Sequence, residues 1–157
     1  MDIKKTLEEL DKLFDNKCIG DVEEFLLSKI KEAEEDDDNN SIITLVNELI
    51  GFYRASSCYR AAIIYCDYII SLMGRLGLEK TIPFATTLLN VATAYRAAGK
   101  LEESLEYYNE VLDVYNDNMP RNDMRYASLY NNISLLYSEM NEYEKACKFL
   151  EDALSIV

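Results

Sequence analysis

The sequence predicts an all-α fold, an α-solenoid of about four antiparallel helix hairpins, on three observations. Apolar residues return at three- and four-residue spacing through almost the whole length, the pattern of a helix with one buried face. Only 2 prolines and 5 glycines occur in 157 residues, and nearly all fall between the periodic stretches. The pattern of residues 85–115 also comes back at 127–157, so that Tyr53, Tyr95 and Tyr137 stand 42 residues apart (95 less 53, 137 less 95). Self-similarity at such a period is the signature of stacked helical repeats.

Each element follows from local chemistry. Ile3, Leu7, Leu10 and Phe14 share one face of a first helix, which Asp15-Asn16-Lys17 interrupts. Asp21 with Glu24 reads as a capping box opening a second helix, with Val22, Phe25, Leu26 and Ile30 on its apolar side as far as about Glu35. The acidic stretch 34–40 reads as a solvated connection. Asp37, Asn39, Ser41 and Glu48 match some offsets of a calcium loop, but Ile42 stands where that loop needs glycine for its sharp turn. Ser41 is instead the expected N-cap of a third helix that carries Val46, Leu49, Ile50 and Tyr53 on one side.

After Ser56-Ser57 a fourth helix turns Tyr59, Ala62, Ile63, Cys66, Ile69 and Ile70 inward, and Gly74 and Gly77 mark its end. Pro83 suits the first turn of a fifth helix, where its missing N–H is not needed. Ala98-Gly99-Lys100 joins this to a sixth helix, which residues 116–120 end. Asn122 is the expected cap of a seventh helix through Tyr126, Tyr130, Ile133 and Tyr137. Asn141 with Glu144 reads as a capping box for an eighth, from Glu142 to Val157.

The repeat holds column by column. Val46, Leu88 and Tyr130 align, as do Leu49, Val91 and Ile133, and Ile50, Ala92 and Ser134. In the second helices the columns are Tyr59, Leu101, Tyr143; Ala62, Ser104, Ala146; Cys66, Tyr108, Leu150; and Ile69, Val111, Ala153. These columns resemble the tetratricopeptide repeat, with Leu88, Val91, Ala92, Tyr95, Ser104 and Tyr108 in that family's places. The usual period of the family is about 34 residues. The longer period here, with Tyr130-Asn131-Asn132-Ile133 and the Met119-to-Asp123 linker, is similar to the repeats of kinesin light chain. The resemblance implies one domain over 1–157, wound as a right-handed superhelix. Residues 41–77, 83–117 and 122–157 are the repeats, and 1–35 is a degenerate N-terminal hairpin or cap lacking the tyrosine and the small residue at that distance.

Such an array implies a concave groove, lined by the first helix of each hairpin, that binds a protein or peptide partner. A second stripe on those helices, offset from the core stripe, supplies the candidate residues: Asn47, Arg54, Asn90, Thr93, Arg96, Asn131, Asn132 and Leu135. A side-chain amide donates and accepts at once, so asparagines can grip a peptide backbone whatever its side chains, and the arginines suit a carboxylate. Chaperone-tail binders of the family clamp a terminal carboxylate with groove cations. Asn47, Gly51, Asn90, Ser128 and Asn132 occupy those places here, and only Asn90 fits. The other readings are a peptide-sensing regulator, or a structural module that self-associates through the outward face of the C-terminal helix.

Composition narrows the rest. Hydrophobic residues at 49% and charged residues at 29% are the proportions of a folded protein. A net charge of −13 repels phosphate backbones, so neither nucleic acid nor an anionic membrane is an expected partner. Histidine is absent, there is no glycine-rich phosphate loop, and Cys18, Cys58, Cys66 and Cys147 form no C-x-x-C pair. No enzyme activity, cofactor or metal is expected. Without a signal-like N-terminus or an apolar run near the ~18 residues of a membrane span, the expected compartment is the reducing cytoplasm.

Overall fold

The computed structural model describes residues 1–157 and contains eight α-helices and no strands. They are α1 (Ile3–Asp15), α2 (Ile19–Glu35), α3 (Asn39–Ala55), α4 (Tyr59–Arg75), α5 (Ile82–Ala97), α6 (Leu101–Asn118), α7 (Met124–Glu139) and α8 (Tyr143–Ile156). The chain divides into two compact units, Met1–Ile69 and Ile70–Val157, with the boundary inside α4.

One device makes six of the seven connections. Lys17, Asp37, Ser57, Gly77, Gly99 and Asn141 each take left-handed backbone, with φ between 52° and 78°. The N–H of the next residue then reaches back to a carbonyl in the last helical turn: Cys18 to Leu13 at 2.8 Å, Asp38 to Ala33 at 2.9 Å, Cys58 to Tyr53 at 2.8 Å, Leu78 to Met73 at 3.0 Å, Lys100 to Tyr95 at 2.9 Å and Glu142 to Tyr137 at 2.9 Å. This Schellman arrangement satisfies carbonyls that the helix end leaves open and reverses the chain within a few residues. Left-handed backbone costs a residue with a Cβ about 1–2 kcal/mol, which is why glycine stands at two of the six positions.

The turns also correct the expected caps. Because the reversal is so short, α2 starts at Ile19 with no side-chain cap, and Asp21 lies inside its first turn instead of capping it. Asp38, not Ser41, caps α3: its carboxylate accepts from the Ser41 N–H at 3.2 Å and from the Ser41 hydroxyl at 2.6 Å. Asn141 is spent on the left-handed turn, so α8 opens at Tyr143 with no side-chain cap. Gly74 belongs to α4, and Gly77 alone closes it. The exceptional connection joins α6 to α7 through an extended Met119, and there Asp123, not Asn122, accepts from the Arg125 N–H at 2.9 Å.

Turn positions reveal the period. Lys17, Asp37, Ser57 and Gly77 fall 20 residues apart (37 less 17, 57 less 37, 77 less 57), whereas Gly99 and Asn141 are 42 apart (141 less 99). Hairpins near the N-terminus therefore repeat every 40 residues (57 less 17). At that distance Tyr53 corresponds to Leu13, and Ala62 corresponds to the fully buried Val22.

In the first unit α1 packs on α2 and α2 on α3, around Leu10, Leu26, Leu45, Leu49 and Ile50, all 2% exposed or less. The Tyr53 hydroxyl donates to Glu23 Oε1 at 2.7 Å, and its ring stacks on Tyr65 at 5.9 Å. Burial, then the Glu23 hydrogen bond, pushes the Tyr53 phenol above its usual range. In the same way burial pushes the Cys66 thiol up to about 12.

In the second unit α5 packs on α6, α6 on α7 and α7 on α8. The small-residue column sits where paired helices come closest: Ser104 is 0% and Ala146 3% exposed. The Ser104 hydroxyl donates to the Ala92 carbonyl at 2.7 Å, and in the next hairpin the Ser134 hydroxyl donates to the Ala146 carbonyl at 2.8 Å. The same two columns are used, with the serine moved from the second helix to the first. Tyr95 and Tyr108 are buried as packing residues, Tyr115 and Tyr126 join them, and Tyr130 and Tyr137 are half-buried against Phe149.

Gly99→Ala is expected to lower stability by about 1–2 kcal/mol through its left-handed backbone, whereas Ser57→Gly raises the thermal midpoint; thermal denaturation checks both. Ser104→Ala should cost about 1 kcal/mol for the lost hydrogen bond, and Ser104→Leu about 1–3 kcal/mol by overpacking the closest approach. With a thiol reagent at neutral pH, exposed Cys58 and Cys147 should react first, and Cys66 only on unfolding.

Candidate peptide-binding face

Asn47 and Arg54 stand on α3 of the first unit, and the other six candidates stand on α5 and α7 of the second. On α5 the core takes Leu88, Val91, Ala92 and Tyr95, which leaves Asn90, Thr93 and Arg96 half-buried on the adjacent side. On α7, Asn132 is half-buried, Asn131 is exposed and Leu135 is 45% exposed.

Two of these residues bind elements together. The Thr93 hydroxyl donates to the Leu89 carbonyl at 2.8 Å, so the Tyr108 hydroxyl, 3.1 Å away on α6, is the donor to Thr93. Arg96 lies in the last turn of α5, with its Nε 3.6 Å from Glu139 Oε1 at the end of α7. The Arg96 side chain is 19% exposed, and its Nη1 is buried with no hydrogen-bond partner. Leaving a buried donor unmet costs about 1–3 kcal/mol, more for a charged group. An acceptor from outside the chain would remove that cost.

The polar stripe is partly occupied by its own helices. Asn47 Nδ2 donates to the Ile43 carbonyl at 2.9 Å, and the Thr44 and Thr86 hydroxyls donate to carbonyls four residues back, at 3.0 and 3.1 Å. The compensation that a mid-helix asparagine requires is thus met within α3 for Asn47. Sequence reasoning missed Tyr108 and Glu139 as members of this face. Tyr108 stands in a repeat column with Cys66 and Leu150, and its hydroxyl ends beside Thr93; Glu139 follows Ser138, the column equivalent of Arg96, and that adjacency is the only signal it carries.

Asp123 and Arg125 hold the start of α7, and so the register of Asn131, Asn132 and Leu135. Arg125 donates from Nε to Asp123 Oδ1 at 2.9 Å and from Nη2 to Oδ2 at 2.8 Å. These bonds, then the Arg125 backbone N–H, hold the Asp123 carboxyl down at about 2. No group of three or more His, Cys, Asp or Glu side chains is placed to hold a metal ion, and no helix is long and apolar enough to cross a membrane.

Residues 83–157 match the tetratricopeptide repeat family model. Comparison with curated proteins finds no match. Among solved structures, the nearly identical TPR-like repeats of a kinesin light chain-like protein from Podospora anserina are similar over 98% of this chain and 74% of that one, at 15% identity and a TM-score of 0.83. BtubC (BKLC) from P. vanneervenii is similar over 98% of this chain and 70% of that one, at 20% identity and a TM-score of 0.70. MamA of MSR-1 follows over 99% and 77%, at 14% identity and a TM-score of 0.64. At such identities the likeness establishes the fold, an all-α helical repeat of the kinesin light chain-like kind.

Because the folded Asp123 carboxyl is held below its ordinary value near about 4, its contribution to the start of α7 is complete above that value. It is lost as pH falls through about 2. NMR titration should place the Asp123 midpoint at about 2, and Arg125→Ala should move it up toward the ordinary carboxylate range.

Proposed function

Since residues 83–157 match the tetratricopeptide repeat family model, and stacked helices of that kind form extended protein-binding surfaces, we propose that this chain is an interaction module whose α5 and α7 hold a peptide segment of a partner protein. Arg96 is the observation that carries this reading. Its Nη1 has no acceptor in the chain and its Nε meets Glu139 only at 3.6 Å, so a carboxylate or peptide carbonyl of a ligand gains a charge-assisted hydrogen bond there.

Around Arg96, the Asn90, Asn131 and Asn132 amides suit ligand backbone, and exposed Leu135 suits an apolar side chain. Asn47 and Arg54 offer the same chemistry on α3. Thr93 keeps the Tyr108 hydroxyl satisfied beneath the face, and Glu139 competes with the ligand for Arg96. The net charge of −13 steers encounter toward partners that are basic overall. All four cysteines are free, which supports a reducing compartment, the cytoplasm.

The test is affinity capture of partners followed by titration of the captured protein. Arg96→Ala, and separately the pair Asn90→Ala with Asn132→Ala, should weaken binding at least tenfold with helicity unchanged. Glu139→Gln should strengthen it. A partner that binds all these variants as it binds the original chain overturns the reading.

A further inference from the structure

The Arg96 guanidinium already has a carboxylate beside it. Glu139 Oε1 lies 3.6 Å from Arg96 Nε, beyond hydrogen-bond length, so the two attract as charges without a directed bond. Arg96 Nη1, by contrast, is buried and meets no acceptor. The cation is thus balanced in charge and unsatisfied in hydrogen bonding. These are separate requirements, and a ligand can meet the second without adding to the first.

Repeat packing does not demand Glu139. Its column, at the 42-residue spacing (97 less 55, 139 less 97), holds Ala55 and Ala97. It is also the last residue of α7, a helix with no basic residue in its last turn, so its charge sits at the negative end of the helix dipole, where a carboxylate is disfavoured. Arg96 is the cation within ion-pair distance of it. What Glu139 contributes on this face is its effect on Arg96.

That effect discriminates between the acceptors a ligand could bring. Thr93, one turn before Arg96, donates its hydroxyl proton to the Leu89 carbonyl at 2.8 Å, and the Tyr108 hydroxyl donates to Thr93 at 3.1 Å, so the hydroxyl donors nearby are spent. An incoming carboxylate has about four lone-pair positions to fill. It would meet two charges that sum to zero, on a chain of net charge −13, and would give up its water while crowding Glu139 with a like charge. A carbonyl of the main chain or of a side-chain amide carries no charge and has two lone pairs. It takes the same N–H with far less hydration to lose.

Resting on the assignment of α5 and α7 as the ligand face, we infer that Glu139 makes Arg96 a reader of uncharged carbonyls. The partner segment presents a main-chain, asparagine or glutamine carbonyl at Arg96, and acidic side chains or a terminal carboxylate are rejected there. No hydrogen bond holds Nη1 inward, and the side chain is 19% exposed, so rotation about its terminal bonds presents that nitrogen to the ligand.

Two isosteric probes test this: acetyl-leucyl-glutaminyl-leucine amide and its glutamate analogue. They are titrated by NMR at neutral pH into the full chain, with shifts read at the Arg96 Nε–H and at the backbone amides closing α5 and α7. The glutamine peptide should bind at least fivefold more tightly than the glutamate peptide. Glu139→Gln should tighten the glutamate peptide at least tenfold and the glutamine peptide less than threefold, so that the preference is lost or reversed. Glu144→Gln, an equal change of net charge at an exposed position of α8, should leave the ratio as it is, and Arg96→Ala should weaken both peptides. A glutamate peptide that binds the original chain as well as the glutamine peptide, with both weakened by Arg96→Ala, overturns the role given to Glu139 and leaves α5 and α7 as the ligand face. So does a ratio that Glu139→Gln leaves unaltered, or that Glu144→Gln shifts as much. Absence of binding by either peptide, or binding that Arg96→Ala does not weaken, overturns the ligand face as well.

Discussion

A helix has to be stopped before the chain can lay the next one against it. In this protein six of seven stops use the same pair of backbone hydrogen bonds around one left-handed residue. The bond from the residue after it fixes the distance from the last helical turn to the start of the next helix, and so fixes which columns face each other. Where the turns come at equal intervals, side chains fall into columns, and the columns can then be specialised. Serine or alanine goes to the closest approach, tyrosine and leucine fill the wider spaces, and polar residues are left on the outer side. The α6-to-α7 connection departs from this, and there a charged pair, Asp123 with Arg125, does the work of setting where the helix begins.

The candidate binding face follows from the same register. Because the core takes one stripe of α5 and α7, an offset stripe of each is left for other uses, and Arg96 at the end of α5 comes within ion-pair distance of Glu139 at the end of α7. The guanidinium is held there by a long contact on one nitrogen while another is buried without a partner. Within the unit this leaves a charged side chain only partly paired.

How much of this was legible in the sequence depended on the range of the interaction concerned. Helix identity, the repeat and its columns were readable, because apolar periodicity is a property of neighbouring residues and recurs at fixed spacing. The expected caps at Asp21, Ser41, Asn122 and Asn141 differ from the observed ones because backbone turns, not side-chain capping patterns, decide where these helices begin. A left-handed turn closed by main-chain hydrogen bonds leaves little trace in side-chain identity; Lys17, Asp37 and Ser57 do it as well as Gly99 does. The shorter spacing of the first turns is hidden in the sequence for a related reason, since the tyrosine that marks the later copies is Leu13 in the first.

The sequence by itself determined that this chain is a run of amphipathic helices arranged as tetratricopeptide-type repeats, and which stripe of each helix is apolar. Only the tertiary structure decided which polar groups are spent inside the fold: Asn47 and Thr93 on their own helices, Tyr108 on Thr93, Tyr53 on Glu23. It likewise decided that Arg96 keeps a buried nitrogen unmet. The physical reason is that periodicity arises from chemistry along the chain, whereas satisfaction of a donor or burial of a stripe depends on atoms brought near from other helices.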